Sequence, residues 1–208
     1  MKTQSLAILC LGALALSPTL ASCDSEARLA ENITGTWAAT PEKLIDSDAM
    51  SATAIRIIQF NPDADNNKGG DLQMTALVSI TNAMSNKTPA IIESYTVSAS
   101  GIATLTGEWA AVEDDKVSLH LDESTLKVSV DPEAVLVSVN TLTDATISTP
   151  DSIKPIIADH LKQQITIAAR NQIFDINAID DIKITNNLMS CEINKRDYTL
   201  RRQDIPVK

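Results

Sequence analysis

The side chains that most often do chemistry are scarce in this sequence and lie far apart. The chain has two histidines, His120 and His160, and three cysteines. Their surroundings match no zinc-protease, phosphate-loop, dinucleotide-glycine or nucleophile-elbow motif. His120 alternates outward from a run of apolar residues, so it is expected at the surface. His160 falls on the apolar stripe of a predicted helix, so it is expected in a packing position. We therefore expect no enzyme, no metal site and no cofactor.

One loop offers oxygen ligands. The segment "DADNNKGGD" begins at Asp63 and places carboxylate or amide side chains at positions 63, 65, 67 and 71. A calcium loop of the EF-hand type needs glycine at its sixth position and glutamate at its twelfth. Lys68 and Met74 stand at those two positions. The segment is therefore interpreted as a solvated hairpin turn.

The N-terminus reads as a processing segment. Lys2 precedes the apolar run "SLAILCLGALAL", and the small-residue stretch "SPTLAS" follows it. About a dozen apolar residues are too few to span a bilayer as a helix, which takes roughly 20. Residues 1–22 are therefore predicted to be a signal peptide and not a membrane anchor.

The end of this segment, "LASC", resembles the lipobox of bacterial lipoproteins, with Leu20, Ala21 and Ser22 directly before Cys23. In those proteins the cysteine is acylated and becomes the mature N-terminus. The resemblance implies that residues 23–32 are a lipidated N-terminus and tether. An ordinary signal peptide followed by a chance cysteine is the alternative.

Cysteine usage and charge limit the partners. If Cys10 leaves with the leader and Cys23 carries lipid, Cys191 is the one thiol of the body and no internal disulfide can form. The net charge of −10 becomes more negative once Lys2 is removed, and it disfavours nucleic acid and anionic headgroups. The expected partner is a membrane, reached through the N-terminal acyl chains. We expect a lipid-anchored protein of the cell envelope and favour the outer membrane.

Alternating apolar and polar residues predict a mostly β body. In "DLQMTALVSIT", which begins at Asp71, apolar side chains occupy every second position from Leu72 to Ile80. Similar segments separated by turn signals predict ten or eleven short strands, and "AIIESYTVS" and "GIATLTGEW" count as two strands joined at Gly101. Regularly spaced short strands favour a barrel or a sandwich.

One segment, residues 152–174, has helical spacing. Its apolar residues recur at intervals of three and four, which predicts an amphipathic helix inserted before the last strands. Ser152 is the predicted N-cap, and Pro155 then falls in the first turn, where its missing N–H costs little. We expect this helix to pack on the outside of the barrel or to close one end.

The start of the β body is similar to the Gly-x-Trp signature of the lipocalins and the wider calycins, because Gly35 and Trp37 flank one threonine. In those proteins the tryptophan closes the bottom of an antiparallel β-barrel, and an arginine of the final strand stacks across it. The resemblance therefore implies a lipocalin-like β-barrel over residues 33–208. Arg202 is the implied partner of Trp37, with Arg201 as the second choice. A β-sandwich in which Trp37 is an ordinary core residue is the alternative.

Two functions of different class are compatible with these patterns. The lipocalin resemblance implies non-enzymatic binding of a small apolar ligand, and the alternative is a lipid-tethered protein-interaction or envelope-assembly module whose barrel is filled. The body has only two tryptophans, two tyrosines and two phenylalanines, which disfavours stacking sites for sugars or nucleic acids. The same aliphatic residues would line a cavity or fill a core. The candidate pocket residues are Met74, Val78, Ile80, Leu119, Val128 and Val130.

Overall fold

The computed structural model describes residues 24–88, 91–140 and 154–203. Outside them lie the predicted signal peptide, the predicted helix cap Ser152, and the lipobox residues Leu20, Ala21, Ser22 and Cys23. The described part is mostly β, as the alternation of apolar residues predicts, and its strands pair in one antiparallel sheet.

The described chain begins with a helix, α1, over Ser25–Ile33. Asp24 caps it, because the Asp24 carboxylate accepts a hydrogen bond of 3.2 Å from the Ala27 amide. The sequence analysis assigned residues 23–32 to a tether, and the structure differs from that assignment. The segment is rich in polar residues, which favoured a tether, but its apolar residues share one helical face and are buried against the strands. Those buried residues are Leu29, Ala30 and Ile33.

Ten strands follow in chain order. They are β1 (Gly35–Ala39), β2 (Glu42–Asp46), β3 (Met50–Pro62), β4 (Gly69–Thr88), β5 (Ile91–Ala111), β6 (Val117–Val130), β7 (Leu136–Asn140), β8 (Ala178–Thr185), β9 (Leu188–Ile193) and β10 (Arg196–Gln203). β5 runs without a break through Gly101, where the sequence analysis placed a turn between two strands. β4 and β5 therefore form a long hairpin of 20 and 21 residues.

The strand pairings return to their starting point. β1 pairs with both β3 and β10, and the order β1-β3-β4-β5-β6-β8-β9-β10 leads back to β1 through antiparallel neighbours. Eight strands thus form a ring of hydrogen-bonded pairs, while β2 lies beside β3 and β7 beside β5 outside that ring.

The pairing between β6 and β8 is the shortest in the ring. Only two register pairs join these strands in the described residues, Val117 with Ile179 and Ser118 with Ala178. By comparison, β4 and β5 pair along their whole length. The segment between β6 and β8 in the chain contains β7 and the second helix, so the seam between β6 and β8 lies where this long connection enters and leaves.

Along β1, β3, β9 and the described parts of β4 and β5, every second side chain is buried, and we call the face that these residues form the inner face. We call the end of the ring crossed by α1 the capped end. Near it the inner-face residues are large: Trp37, Ile58, Phe60, Leu72, Met74, Leu105 and Trp109. Farther along the same strands they are mostly small: Ala39, Ala52, Ala54, Ala76, Ala99, Gly101 and Ala103. The small side chains leave room on the inner face, away from the capped end, for another element of the chain.

That element is α2 (Lys154–Ala168), which continues as a π-helical turn over Ala169–Ile173. A Cβ atom added to Gly101 would lie 2.5 Å from Cδ1 of Ile165. Helix α2 therefore packs on the inner face of β5, which excludes the first of its two expected positions, the outside of the strands. An apolar stripe tells which side of a helix is buried but not what covers it.

Candidate functional site

The residues of the Gly-x-Trp resemblance meet at the capped end. Trp37 and Arg202 are register partners, and the Arg202 guanidinium carbon lies 4.3 Å from the centroid of the Trp37 ring. Arg201, the second choice, is exposed. Gly35 has a φ of +117°, and a Cβ there would lie 2.9 Å from Nη1 of Arg202. Glycine at this position therefore allows both the backbone conformation and the close approach of the arginine.

Arg202 and Trp37 also hold α1 in place. Arg202 donates hydrogen bonds of 2.6 Å to the carbonyl oxygens of both Asn32 and Thr34. The Trp37 indole donates one of 2.7 Å to the carbonyl of Ile33. The last carbonyls of a helix lack partners within the helix. These side chains supply them and so fix the helix across the end of the ring.

A second Gly-x-Trp sequence occurs in β5, from Gly107 to Trp109, and its residues also have structural roles. A Cβ at Gly107 would lie 2.2 Å from the carbonyl oxygen of His120, so only glycine lets β5 and β6 approach closely here. Trp109 donates a hydrogen bond of 3.1 Å to the Asn61 carbonyl. Its ring meets Phe60 edge to face, with centroids 5.4 Å apart.

The candidate pocket residues all belong to one hydrophobic core, in which the first four are buried and the last two half-buried: Met74, Val78, Ile80, Leu119, Val128 and Val130. Val78, Gly101 and Val130 are register neighbours across three strands. Ile165 of α2 occupies the space above Gly101. The inner face that the sequence analysis assigned to a ligand is thus covered at this level by the chain's own helix.

A buried arginine that the sequence analysis did not single out stands at the edge of this core. Arg56 is 3% exposed and occupies an inner-face position of β3. Its Nε donates a hydrogen bond of 3.1 Å to the Ile173 carbonyl in the π-helical turn, and Nη2 donates one of 2.9 Å to Glu42. Within the described part of the chain, Nη1 is buried without a hydrogen-bond partner. The signal was present in "AIRIIQF", where period two puts Arg56 on the apolar side.

Glu42 and Tyr198 complete this cluster. The Tyr198 hydroxyl donates a hydrogen bond of 3.1 Å to the second carboxylate oxygen of Glu42, and the Arg56 guanidinium carbon lies 5.2 Å from the Tyr198 ring centroid. A surface groove of about 510 Å³ opens beside the cluster. Its other polar lining residues are Lys43, Asn171, Gln172, Asp175, Asn194 and Arg196. The groove offers hydrogen-bond donors and acceptors, and π-helical turns such as the one that supplies Asn171 and Gln172 are frequent at functional sites.

The thiol beside this cluster, Cys191, is not suited to nucleophilic chemistry. Cys191, the register partner of Tyr198, is 4% exposed, and burial raises the pKa of its thiol to about 12. The thiol therefore stays protonated at neutral pH, whereas a reactive cysteine needs the thiolate. Cys191 thus serves as a small apolar residue in the core.

The remaining sequence candidates occupy local structural positions. The Asp63 carboxylate accepts a hydrogen bond of 3.0 Å from the Asp65 amide, which is a turn-stabilising contact. Among the described residues, no group of three His, Cys, Asp or Glu side chains is placed to hold a metal ion. His120 is exposed, and His160 is exposed as well, 3.0 Å from the Gln164 amide nitrogen. The expected packing position of His160 is therefore wrong, because Leu161 carries the buried stripe.

The fold and site define an all-antiparallel β protein whose ring of strands is crossed at one end by a helix and covered on the inner face of β5 by another. No protein-family profile and no curated protein sequence matches the chain. In the part that the structure describes, neither helix is long and apolar enough to cross a bilayer.

Proposed function

We propose that this protein is a lipid-anchored, non-enzymatic protein of the cell envelope that acts through its surface as an interaction or assembly module. Its anchor would be the acyl chains on Cys23, which the lipobox residues before it support. Its body would be a lipocalin-like β-barrel, supported by the ring of eight strands and by the stacking of Arg202 on Trp37. We place it in the outer membrane.

The observation that carries the choice of function is the position of α2. Ile165 is 1% exposed and lies against Gly101. The register neighbours of Gly101 are Val78 and Val130, two of the candidate pocket residues. At the capped end the inner face carries Trp37, Phe60 and other large residues that fill the ring themselves. A ligand pocket needs a cavity of a few hundred Å³. Because α2 covers one part of the inner face and large side chains occupy the other, we favour an interaction module with a filled interior over a carrier of a small apolar ligand.

Two surface features suit contact with a partner. The first is the polar groove beside Arg56, which has a guanidinium N–H without a hydrogen-bond partner among the described residues. Such a donor would be satisfied by an oxygen atom of a partner or of water. The second is the outward side of α2, where Ile156 is 68% exposed and Ile167 is 61% exposed. Large apolar side chains exposed on one helix are typical of protein contact surfaces.

Native mass spectrometry tests the choice between the two functions. The chain from Asp24 onward contains every described element, and it would be purified from a bacterial host and weighed before and after organic extraction. We expect a single mass without a bound lipid, and no uptake of a fluorescent fatty acid. A co-purifying apolar molecule that extraction removes would overturn the filled interior. The variant Ile167→Ala is the control, since it alters only the exposed side of α2 and separates surface adsorption from binding inside the ring.

A further inference from the structure

Helix α1 is fixed to the body at both ends. At its start, the Asp24 carboxylate lies 2.9 Å from Nζ of Lys68, which also contacts Glu26. The hydrogen bond from Lys68 lowers the pKa of Asp24 below its ordinary value, because the ammonium group stabilises the charged carboxylate. At its end, Arg202 holds the carbonyls of Asn32 and Thr34. The helix between these contacts buries its apolar face, so it has no freedom to act as a flexible tether.

Cys23 is the residue directly before Asp24. Consecutive Cα atoms are about 3.8 Å apart, so acyl chains on Cys23 would start beside the capped end with no spacer between. We propose that the capped end of the ring rests on the bilayer surface into which these chains insert. This proposal rests on the acylation of Cys23 in the proposed function and adds the orientation and the surface that meets the lipid.

The surface around Asp24 indicates which headgroups it fits. The loop between β3 and β4 and the loop between β5 and β6 are neighbours here, because the Lys68 carbonyl accepts a hydrogen bond of 2.7 Å from the Ala111 amide. Both lysines of these loops are paired with carboxylates, Lys68 with α1 and Lys116 with Asp180. The exposed acidic residues of the two loops are Asp63, Asp65, Glu113 and Asp114. On α1 itself the exposed Arg28 is offset by the exposed Glu31, so the capped end stays acidic. Anionic headgroups would be repelled, whereas the ammonium groups of phosphatidylethanolamine complement these carboxylates.

This orientation points the opposite end of the ring away from the membrane. β3 has 13 residues, which at about 3.3 Å per residue and a strand tilt near 40° gives a height of roughly 30 Å. The turn between β2 and β3, which contains Asp48, lies at the far end of β3 from the capped end. A probe on this turn would therefore stand about 30 Å above a probe on the loop between β3 and β4.

The test measures the depth of two probes on the full acylated chain. Asn67→Cys at the capped end and Asp48→Cys at the opposite end are both exposed positions, and Cys191 is buried and does not take the label. The labelled proteins are reconstituted in phosphatidylethanolamine–phosphatidylcholine vesicles that contain a headgroup nitroxide lipid. We expect quenching of the Asn67 probe to exceed that of the Asp48 probe several-fold. A ten-residue glycine-serine insertion between Cys23 and Asp24 gives about 17 Å of slack and should reduce the difference.

Each other outcome contradicts a separate part of the proposal. Equal quenching of the two probes on an acylated chain overturns the orientation and leaves the anchor in place. An intact mass of the membrane-extracted chain without acyl groups on Cys23 overturns the anchor itself and with it the orientation. Quenching at Asn67 that does not fall when half of the phosphatidylethanolamine is replaced by phosphatidylglycerol overturns the headgroup preference.

Discussion

The contact between Gly101 and Ile165 allows a quantitative test of where α2 packs. In Gly101→Ala the new Cβ would lie 2.5 Å from Cδ1 of Ile165 and 3.0 Å from both the Ser129 carbonyl and a methyl of Val130. Overpacking of this kind costs about 1–3 kcal/mol, offset by roughly 0.5–1 kcal/mol because alanine loses less backbone entropy than glycine. We expect a net loss of about 1–2 kcal/mol. Ile165→Ala alone should cost about 2–5 kcal/mol, because the side chain is buried.

The two changes together should be less harmful than their sum. Without Cδ1 of Ile165, the alanine at position 101 loses its closest clash, so we expect an interaction energy of about 1–2 kcal/mol in favour of the double variant. Urea unfolding followed by tryptophan fluorescence would supply the four free energies of unfolding, since Trp37 and Trp109 are both in the core. Additivity within about 0.5 kcal/mol would refute the placement of α2 on the inner face.

Three further predictions concern particular side chains. Arg202→Ala should lower the free energy of unfolding by about 2–3 kcal/mol, because it removes a cation–π contact and two charge-assisted hydrogen bonds. The control Arg201→Ala changes an exposed residue and should alter the free energy of unfolding by less than about 0.5 kcal/mol. Equal losses in urea melts would contradict the role of the stacked arginine. Replacing both partners of the buried pair, with Arg56→Met and Glu42→Leu together, should leave the free energy of unfolding within about 1 kcal/mol of the parent. Glu42→Ala alone should cost about 3 kcal/mol, because it leaves a buried guanidinium without its carboxylate. A large loss from the double variant in urea melts would contradict this account of the pair. Cys191 should not react with a thiol reagent at pH 8 until the protein is unfolded, and reaction in the folded state would show that the thiol is accessible. Burial raises the pKa of this thiol from 9.0 to about 12, so above pH 9 the unfolded chain loses the proton that the folded chain keeps. The free energy of unfolding should therefore fall as pH rises above 9.

Alternation along the strands was enough to predict which residues point inward. The pattern in β4 gives the buried face directly, because side chains on a strand alternate and only one face of this sheet is covered. The pairing of Arg202 with Trp37 follows from the same alternation in β10 combined with the lipocalin resemblance. Local periodicity therefore predicts most of the strand content, whereas the pair at the capped end also required the lipocalin resemblance.

The missed features depend on contacts between distant segments. Gly101 was predicted to be in a turn because glycine is frequent in turns. Its lack of a side chain instead makes space for Ile165, which lies more than 60 residues later in the chain. Helix α1 was missed because its charged residues hid a short apolar face. Arg56 was passed over because two of its partners, the Ile173 carbonyl and the Tyr198 ring, lie more than 100 residues away in the sequence and approach β3 only in the folded chain.

The two-pair seam between β6 and β8 divides the ring into two units with different folding requirements. β1 to β6 pair mostly with their chain neighbours, as do β8, β9 and β10, so each unit can form through local hairpins. Joining the units requires only the short seam and the pairing of β1 with β10, whose residues are far apart in sequence. We expect the two meanders to form first and to dock late, with α2 packed on β5 and β6 of the first unit. Hydrogen exchange should then find the amides of β6 and β8 at the seam opening before those of β4 and β5.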